Sequence, residues 1–421
     1  MAKVWVEAYG CSASFADSEM ISGIVTNGGH VLAESEDDAD ASILVTCSVK
    51  DSTAGRMAYR IKKLGGKPLL VAGCLAKAEP YTVSKLAPKA SLMGPSSIGG
   101  TLHLLDGALR GQKNIELGDN TRKVGLPKVR LNPAVGIVEI ASGCMSECTF
   151  CQTKFAKGKI TSYRVGEIVR QIKEEISSGC SEIWLSSTDN GCYGFDIGSD
   201  LPELINAVTT IRGNFMIRVG MMNPMYIPKI HKDLLHSYQS SKVYKFMHIP
   251  VQSGSNSVLA DMKRGHTATT FTNTVCMARE NFEKFTISTD IIVGFPTESD
   301  DDFEDTVSLL KNTKPEIVNI SKYSARPGTD AANMKQIDAS IIKRRSKKIT
   351  DIVSKITLES NKKWIGWSGK VLFTEDTGNG IRGRNYAYKP IYVSEGAKIG
   401  LSCMVKITGS TTNSLLGKIE G

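Results

Sequence analysis

The chain has 421 residues, more than one compact domain normally holds, so we expect two or three domains. Hydrophobic residues make up 41% and charged residues 23%, a balance that excludes an intrinsically disordered chain. No stretch approaches the roughly 18 consecutive apolar residues of a membrane span, and the charged start offers no apolar signal-peptide region. We therefore expect a cytoplasmic protein with no membrane partner.

The positive charge is concentrated at one end of the chain. The formal net charge is +9, and residues 335–421 contain 16 basic and seven acidic residues. A local surplus of this kind is common in nucleic-acid-binding proteins. A solvated basic helix would explain the surplus equally well.

Residues 1–128 have the pattern of an open α/β domain with a parallel sheet. Strands are predicted at 3–9, 41–46 and 68–72, with helices at 18–26 and 52–64 between them. A cysteine follows each strand: Cys11, Cys47 and Cys74. Because ligand sites of open α/β sheets lie beyond the carboxyl ends of the strands, three thiols are expected to meet there. Each cysteine taken alone would be read as a small buried hydrophobic residue.

Residues 129–334 repeat a strand and a helix six times, which predicts a partial (β/α)6 barrel with its chemistry at the carboxyl-end loops. The predicted strands are 136–141, 182–187, 215–220, 243–250, 285–293 and 316–323. The predicted helices are 166–178, 201–211, 228–238, 269–283 and 301–311.

Residues 335–421 change character twice. A basic helix is predicted within 335–364, and short strands with glycine-rich turns follow within 365–421. Strands at 371–374, 390–393 and 404–407, with turns at 377–380 and 383–385, predict a small β-barrel. Barrels of this size often bind oligonucleotides, although the fold alone does not establish it.

A second cysteine triplet opens the barrel segment. Cys144, Cys148 and Cys151 have the spacing C-x3-C-x2-C directly after a predicted strand. In a reducing cytosol such spacing favours metal chemistry, and three soft thiolates suit a 4Fe-4S cluster with one iron left open. Structural zinc would need a fourth ligand, and Cys180 is far away at a helix end. We expect the remaining cysteines to pack as ordinary small residues; they are Cys180, Cys192, Cys276 and Cys403.

This loop resembles the signature of radical S-adenosylmethionine (SAM) enzymes. The resemblance implies that SAM chelates the open iron and that an electron from the cluster splits SAM into methionine and a 5′-deoxyadenosyl radical. In such enzymes the cofactor supplies the difficult chemistry, while the protein supplies placement and excludes water.

The whole chain resembles a methylthiotransferase, particularly the archaeal and eukaryotic subgroup that modifies threonylcarbamoyladenosine beside the tRNA anticodon. The matching segments are 17–19 (DSE), 47–50 (CSVK), 73–75 (GCL), 248–255 (HIPVQSGS), 290–296 (DIIVGFP), 323–329 (YSARPGT), 218–224 (RVGMMNP) and 386–390 (YAYKP). The resemblance identifies 1–128 as the methylthiotransferase domain, 129–334 as the radical SAM core, 335–364 as a linker helix and 365–421 as a TRAM-like barrel.

The resemblance also implies the site residues and the reaction. Cys144, Cys148 and Cys151 would hold the SAM-cleaving cluster. A second 4Fe-4S cluster carrying an extra sulfur would be held by the first triplet, Cys11, Cys47 and Cys74. One SAM methylates that sulfur, and a second supplies the radical that removes hydrogen from carbon 2 of the adenine. The predicted SAM contacts are Ser186, Asp189, Gln252, Ser253 and Gly294, and no residue is assigned a catalytic role.

The expected partner is the tRNA anticodon stem-loop, whose unpaired bases a protein pocket can reach. The predicted RNA contacts are Lys343, Arg344, Arg345, Arg382, Arg384, Tyr386 and Lys389, with Tyr388 as a further stacking residue. The reaction also needs an electron donor and a sulfur source, which no motif identifies.

Other functions remain open at this point. A relative of this kind could instead modify isopentenyladenosine in tRNA or a ribosomal protein side chain. A different class of protein, a non-catalytic iron–sulfur RNA-binding protein, would also carry clustered cysteines and a basic end. The open iron site expected at the second triplet favours an enzyme.

Overall fold

The computed structural model describes residues 1–48, 51–118 and 121–420, and the side chains of residues 51–54 are not described. Val49 and Lys50, the last two residues of the CSVK segment, therefore lie outside the described residues. Among the residues that are described, no helix has the length and apolar character that crossing a membrane would require.

The first unit is a six-stranded parallel sheet with helices around it. Its strands are β1 (Lys3–Ala8), β2 (Val31–Leu32), β3 (Ala41–Thr46), β4 (Leu69–Gly73), β5 (Ser91–Met93) and β6 (Ile115–Glu116), in the order β2-β1-β3-β4-β5-β6. Its helices are α1 (Ser12–Asn27), α2 (Asp51–Leu64), α3 (Cys74–Ala78), α4 (Pro80–Leu86) and α5 (Thr101–Leu109). Every residue of β3 and β4 is buried, as expected for central parallel strands covered on both faces.

The second unit contains the six predicted parallel strands, which confirms the mixed α/β fold. Its strands are β7 (Val135–Glu139), β8 (Ala141–Ser142), β9 (Thr161–Ser162), β10 (Glu182–Ser186), β11 (Met216–Val219), β12 (Phe246–His248), β13 (Thr286–Val293) and β14 (Ile317–Lys322). Its helices are α6 (Thr153–Lys157), α7 (Val165–Ser177), α8 (Leu201–Thr209), α9 (Ile227–Ser237), α10 (Asn256–Asp261), α11 (Ala268–Asn281) and α12 (Asp300–Thr313).

These strands form an incomplete barrel. Sheets β11-β10-β7 and β12-β13-β14 are joined by a parallel bridge between Ile217 and Val243. The short antiparallel pair of β8 and β9 brackets the loop that contains the second cysteine triplet. The carboxyl ends of the six main strands therefore lie at one edge, beside that loop.

The third unit begins with the long helix α13 (Ala339–Lys362) and continues as a closed five-stranded barrel. Its strands are β15 (Ser368–Asp376), β16 (Ile381–Asn385), β17 (Pro390–Val393), β18 (Ser402–Ser410) and β19 (Leu415–Ile419). The turn predicted at 383–385 is wrong, because these residues pair with β15 and β17 inside β16. The glycine there allows close approach: a Cβ on Gly383 would lie 2.5 Å from the Leu372 carbonyl oxygen.

The three units share buried surfaces. Val135, Ile137 and Trp184 of the incomplete barrel pack in the same apolar cluster as Val4 and Ile21 of the first unit. This shared core fixes the orientation of the two α/β units, so that their strand ends are presented together.

The third unit is fixed to the incomplete barrel in a similar way. The ring of Tyr388 packs against those of Tyr244 and Phe246. Its centroid lies 4.8 Å from the Tyr244 centroid and 4.7 Å from the Phe246 centroid. Aromatic pairs at this separation add to the stabilisation from burial alone.

Candidate active site

The second cysteine triplet lies in a tight loop at the carboxyl edge of the incomplete barrel. The Cys144 amide donates to the Gly158 carbonyl over 3.2 Å, and the Cys151 amide donates to the Cys148 carbonyl over 3.1 Å. Gly143 has φ +76°, and a Cβ there would overlap the backbone of Lys159. Only glycine fits this position, so the residue before the triplet sets the loop's course.

Neighbouring hydrogen-bond donors make the thiol of Cys144 unusually acidic. A hydrogen bond from Cys192 is the largest cause that lowers the pKa of Cys144 to about 6, and the Ser146 amide adds to it. The Ser146 amide nitrogen lies 3.3 Å from the Cys144 sulfur. A thiolate is the form that binds metal, so these donors prepare Cys144 as a ligand.

Cys192 is buried, as predicted for an ordinary small residue, but its sulfur also lies close to two other potential metal-binding groups. The sulfurs of Cys144 and Cys192 and a carboxylate oxygen of Asp189 all lie within 4.8 Å of one another. Cys192 is fully buried in a short 3-10 turn after β10. The turn that follows the second barrel strand brings it there, which its sequence spacing from the triplet did not indicate.

A buried arginine also contacts this triplet, and sequence reasoning missed it. Arg264 is only 6% exposed, and its Nη1 donates to the Cys148 sulfur over 3.1 Å. Its Nη2 donates to the Pro250 carbonyl oxygen over 2.9 Å. Nothing in the sequence of the short loop before α11 indicated this contact, because the partner of Arg264 is 116 residues away.

The cysteines of the first triplet lie at the ends of neighbouring strands. β1, β3 and β4 are adjacent in the sheet, and Cys11, Cys47 and Cys74 follow their carboxyl ends. A Cβ on Gly10, whose φ is +129°, would lie 2.9 Å from the Cys47 sulfur. A hydrogen bond from Cys47 holds the pKa of Cys11 well below its usual value, whereas burial raises the pKa of Cys74 to about 11.

Four buried charges lie beside both triplets, and we refer to Asp17, Lys123, Glu139 and Lys157 as the charge quartet. The Lys123 ammonium is 2.6 Å from Asp17 and 3.1 Å from Glu139. Lys157 lies 3.5 Å from Glu139, and all four side chains are at most 6% exposed. Asp17 belongs to the helix after Cys11, and Lys157 to the helix after Cys151.

The charge quartet acts on the first triplet. Burial alone would lower the pKa of Lys157, but the charges of Glu139 and then of Cys74, Asp17 and Cys11 raise it overall. Lys157 therefore stays protonated, and its positive charge stabilises thiolates in the first triplet.

Residues beside the two triplets touch across the contact between the α/β units. The hydroxyl of Ser12, next to Cys11, is 2.8 Å from that of Ser186 at the end of β10. The amide of Gln152, next to Cys151, donates to Glu79 over 3.0 Å. Residues adjacent to Cys11 and Cys151 therefore take part in the contact between the two units.

The five predicted SAM contacts occupy different environments. Ser186 lies between the triplets, and Asp189 is nearby but accepts the amides of Gly191 and Asn223 over 3.0 and 2.9 Å. Burial raises the pKa of Asp189 to about 7.

The other three predicted SAM contacts follow later strands. Gln252 has φ +74°, and its buried Oε1 has no hydrogen-bond partner among the described residues. Ser253 instead bonds Thr306 of α12, and a Cβ on Gly294 would meet Ile342 of α13. Of these three, Gln252 has an acceptor left free for a ligand.

A polar chain that sequence reasoning missed crosses the interior side of the second sheet. His248 Nε2 lies 3.1 Å from both Asp290 oxygens, and Asn319 donates to Asp290 over 2.7 Å. These residues alternate along their strands with the apolar residues that pack beneath the helices. His248 belongs to the HIPVQSGS segment and Asp290 to the DIIVGFP segment. The sequence singled out both segments but did not indicate that these two side chains interact.

The predicted RNA contacts divide into exposed and buried groups. Lys343 and Arg344 are exposed on α13, and Tyr386 is 37% exposed. Arg382 is partly exposed and paired with Glu375 over 2.9 Å, while the Arg384 guanidinium lies 5.1 Å from the Tyr388 ring centre.

Two of the predicted RNA contacts are corrected by the structure. Arg345 is 5% exposed, and its guanidinium lies 2.6 Å from Glu298 and 2.8 Å from Asp300. Lys389 is 2% exposed and donates to Asn361 over 3.0 Å. Both side chains are enclosed by protein partners and are not exposed at the surface, where an RNA phosphate would contact them. Tyr388 is likewise buried in the contact between the units.

Comparison with known proteins identifies the family. A model of the radical SAM superfamily matches residues 138–310, and a model described as uncharacterized protein family UPF0004 matches residues 3–94. A probable threonylcarbamoyladenosine tRNA methylthiotransferase of Pyrococcus horikoshii is 39% identical over 100% of both chains. The threonylcarbamoyladenosine tRNA methylthiotransferase of Drosophila melanogaster is 36% identical over 99% of this chain and 77% of its own.

Solved structures support the same fold. The radical SAM methyltransferase TsrM of Kitasatospora setae, with cobalamin and a 4Fe-4S cluster bound, superposes with a TM-score of 0.58. It is 11% identical, and the match covers 79% of this chain and 77% of that chain. With full-length relatives at this identity and the radical SAM fold, the chain belongs to the threonylcarbamoyladenosine tRNA methylthiotransferase family.

Proposed function

We propose that this protein adds a methylthio group to carbon 2 of threonylcarbamoyladenosine beside the tRNA anticodon, by radical SAM chemistry in the cytoplasm. The observation that supports the proposal most directly is the presence of two cysteine triplets, each at strand carboxyl ends, with residues beside them in contact across the two α/β units. A single cluster would need only one of them, whereas transfer of a sulfur group to a carbon radical needs a radical source and a sulfur carrier together.

Cys144, Cys148 and Cys151 would hold the SAM-cleaving cluster. The donor set fits, because three thiols come from one loop, one of them with a lowered pKa, and Arg264 donates to another. When bound, this cluster supplies the electron that cleaves SAM and produces the radical that removes hydrogen. The positions near it that suit SAM itself are Ser186 and Gln252. The buried Oε1 of Gln252 has no hydrogen-bond partner among the described residues.

Cys11, Cys47 and Cys74 would hold the second cluster, which gives two 4Fe-4S clusters in all. The fit rests on three thiols at adjacent strand ends and on the lowered pKa of Cys11. Lys157 supports this site with a buried positive charge. The hydrogen bond between Ser12 and Ser186 would help to fix the two sites relative to each other.

The basic third unit would bind the anticodon stem-loop of the tRNA. Lys343 and Arg344 are exposed, and phosphate contacts of this kind make binding salt-dependent. Replacing both with serine should weaken tRNA binding. It should also make binding less dependent on salt concentration, because about two phosphate contacts are lost. Replacing the exposed Lys85 and Lys89 of the first unit with serine is the matched control, and equal losses in both variants would contradict this surface.

The test is mass spectrometry of tRNA nucleosides after anaerobic reconstitution with iron, sulfide, SAM and a reductant. With tRNA that carries threonylcarbamoyladenosine, we expect its methylthio derivative together with 5′-deoxyadenosine and methionine. Parallel reactions contain tRNA with isopentenyladenosine or ribosomal protein. A product only in one of those reactions would refute the proposed substrate, and absence of SAM cleavage would favour a non-catalytic RNA-binding protein.

A further inference from the structure

Arg264 occupies an unusual environment for an arginine. It is 6% exposed, and none of the ion pairs among the described residues involves it. Its Nε has no hydrogen-bond partner in the described part of the chain. A buried guanidinium without a carboxylate is costly, so a negative charge must compensate it elsewhere.

One anchor of the guanidinium is the sulfur of Cys148, to which Nη1 donates over 3.1 Å. The second anchor is the Pro250 carbonyl oxygen, 2.9 Å from Nη2. The loop that presents Arg264 is sharply bent, because Lys263 has φ +52° and Gly265 has φ +67°. A Cβ on Gly265 would lie 2.7 Å from the Met225 methyl carbon, so the turn is packed as well as bent.

We propose that Arg264 is a positioning residue that fixes the Cys148 sulfur and raises the reduction potential of the cluster held by the second triplet. This rests on the proposed role of Cys148 as a cluster ligand. Hydrogen bonds to ligand sulfurs and nearby charges are the means by which proteins adjust iron–sulfur potentials.

The direction follows from charge. Reduction adds one electron to a cluster that already has three thiolate ligands, and a fixed guanidinium stabilises the added negative charge. Because the side chain is buried, water screens this interaction little. Removing the guanidinium should therefore make the cluster harder to reduce.

The test is a redox titration followed by electron paramagnetic resonance. All variants are full-length chains with Cys11, Cys47 and Cys74 replaced by alanine, so that only one cluster remains. Arg264→Gln should shift the midpoint potential to more negative values, and Arg264→Lys should shift it less. Lys263→Gln is the matched control, since Lys263 is exposed and lies 3.5 Å from Asp330; it should leave the potential unchanged.

An unchanged potential in Arg264→Gln with a fully loaded cluster would overturn the inference. If that variant fails to load, Arg264→Lys decides, because a lysine cannot make both anchoring contacts in the same geometry. An unchanged potential there would equally refute the role of Arg264. Absence of any cluster in the parent protein would instead refute the proposed function.

Discussion

Gly10→Ala should remove the cluster proposed for Cys11, Cys47 and Cys74, while the SAM-cleaving cluster stays. The Gly10 φ of +129° costs an alanine roughly 1–2 kcal/mol, as left-handed backbone does for residues with a Cβ. The new Cβ would also lie 2.5 Å from the Cys47 Cβ and 2.9 Å from its sulfur. Relieving that overlap adds roughly 1–3 kcal/mol and displaces a ligand.

Gly29→Ala is the matched control for this variant. Its φ is +84°, and no atom lies within 4 Å of the added Cβ, so only the backbone cost of roughly 1–2 kcal/mol applies. Iron and sulfide per chain, measured after anaerobic reconstitution, should fall to the content of one cluster in Gly10→Ala. They should stay at the content of two clusters in Gly29→Ala. Full iron content in Gly10→Ala would refute the close packing of Gly10 against Cys47.

Three further predictions concern the second triplet and buried charges. Gly143→Ala should lose the SAM-cleaving cluster, whereas Gly158→Ala, with φ +72° and open space around its Cβ, should keep it; equal iron content in the two variants would contradict the loop geometry. Lys123→Met removes the ammonium partner of buried Asp17 and leaves Glu139 paired with Lys157 alone, so it should cost about 3–5 kcal/mol in urea unfolding. Lys3→Met, whose ion pair is exposed, should cost much less, and similar losses in the two variants would argue against the quartet's importance.

Glu19→Gln should stabilise the protein above neutral pH. Burial raises the pKa of Glu19 to about 7, so folding favours the protonated form, and stability falls as pH rises from about 4.5 to about 7. The glutamine removes that loss, worth about 2–3 kcal/mol at pH 8 and little at pH 4. Urea unfolding at both values checks this, and an equal effect at both would contradict it.

The positions of both cysteine triplets relative to the strands could be predicted from the sequence, whereas their role as cluster ligands stays a prediction. C-x3-C-x2-C after a strand is a short-range pattern, and three cysteines after three parallel strands meet wherever those strands are neighbours. The main strands of the two α/β units were also identified, while β2, β5 and β6 were missed because they have only two or three residues. In the C-terminal barrel, β16 and β19 were missed as well.

The remaining parts of the site depend on which distant segments meet. Arg264 and Cys148 are 116 positions apart, and no pattern along the chain connects them. Arg345 and Lys389 were expected on the surface because most basic residues are exposed. Packing of α13 against α12 and the barrel encloses them, and Glu298 and Asn361 provide their partners.

We propose that the second triplet cleaves SAM and the first carries the sulfur. Cys47→Ala tests this most directly, with 5′-deoxyadenosine and methylthiolated nucleoside measured in the same reaction. We expect the variant to cleave SAM at a rate similar to that of the parent protein and to form no methylthio product. Cys144→Ala in parallel should lose both. Methylthio product from Cys47→Ala would contradict the assignment of the first triplet as the sulfur-carrying site.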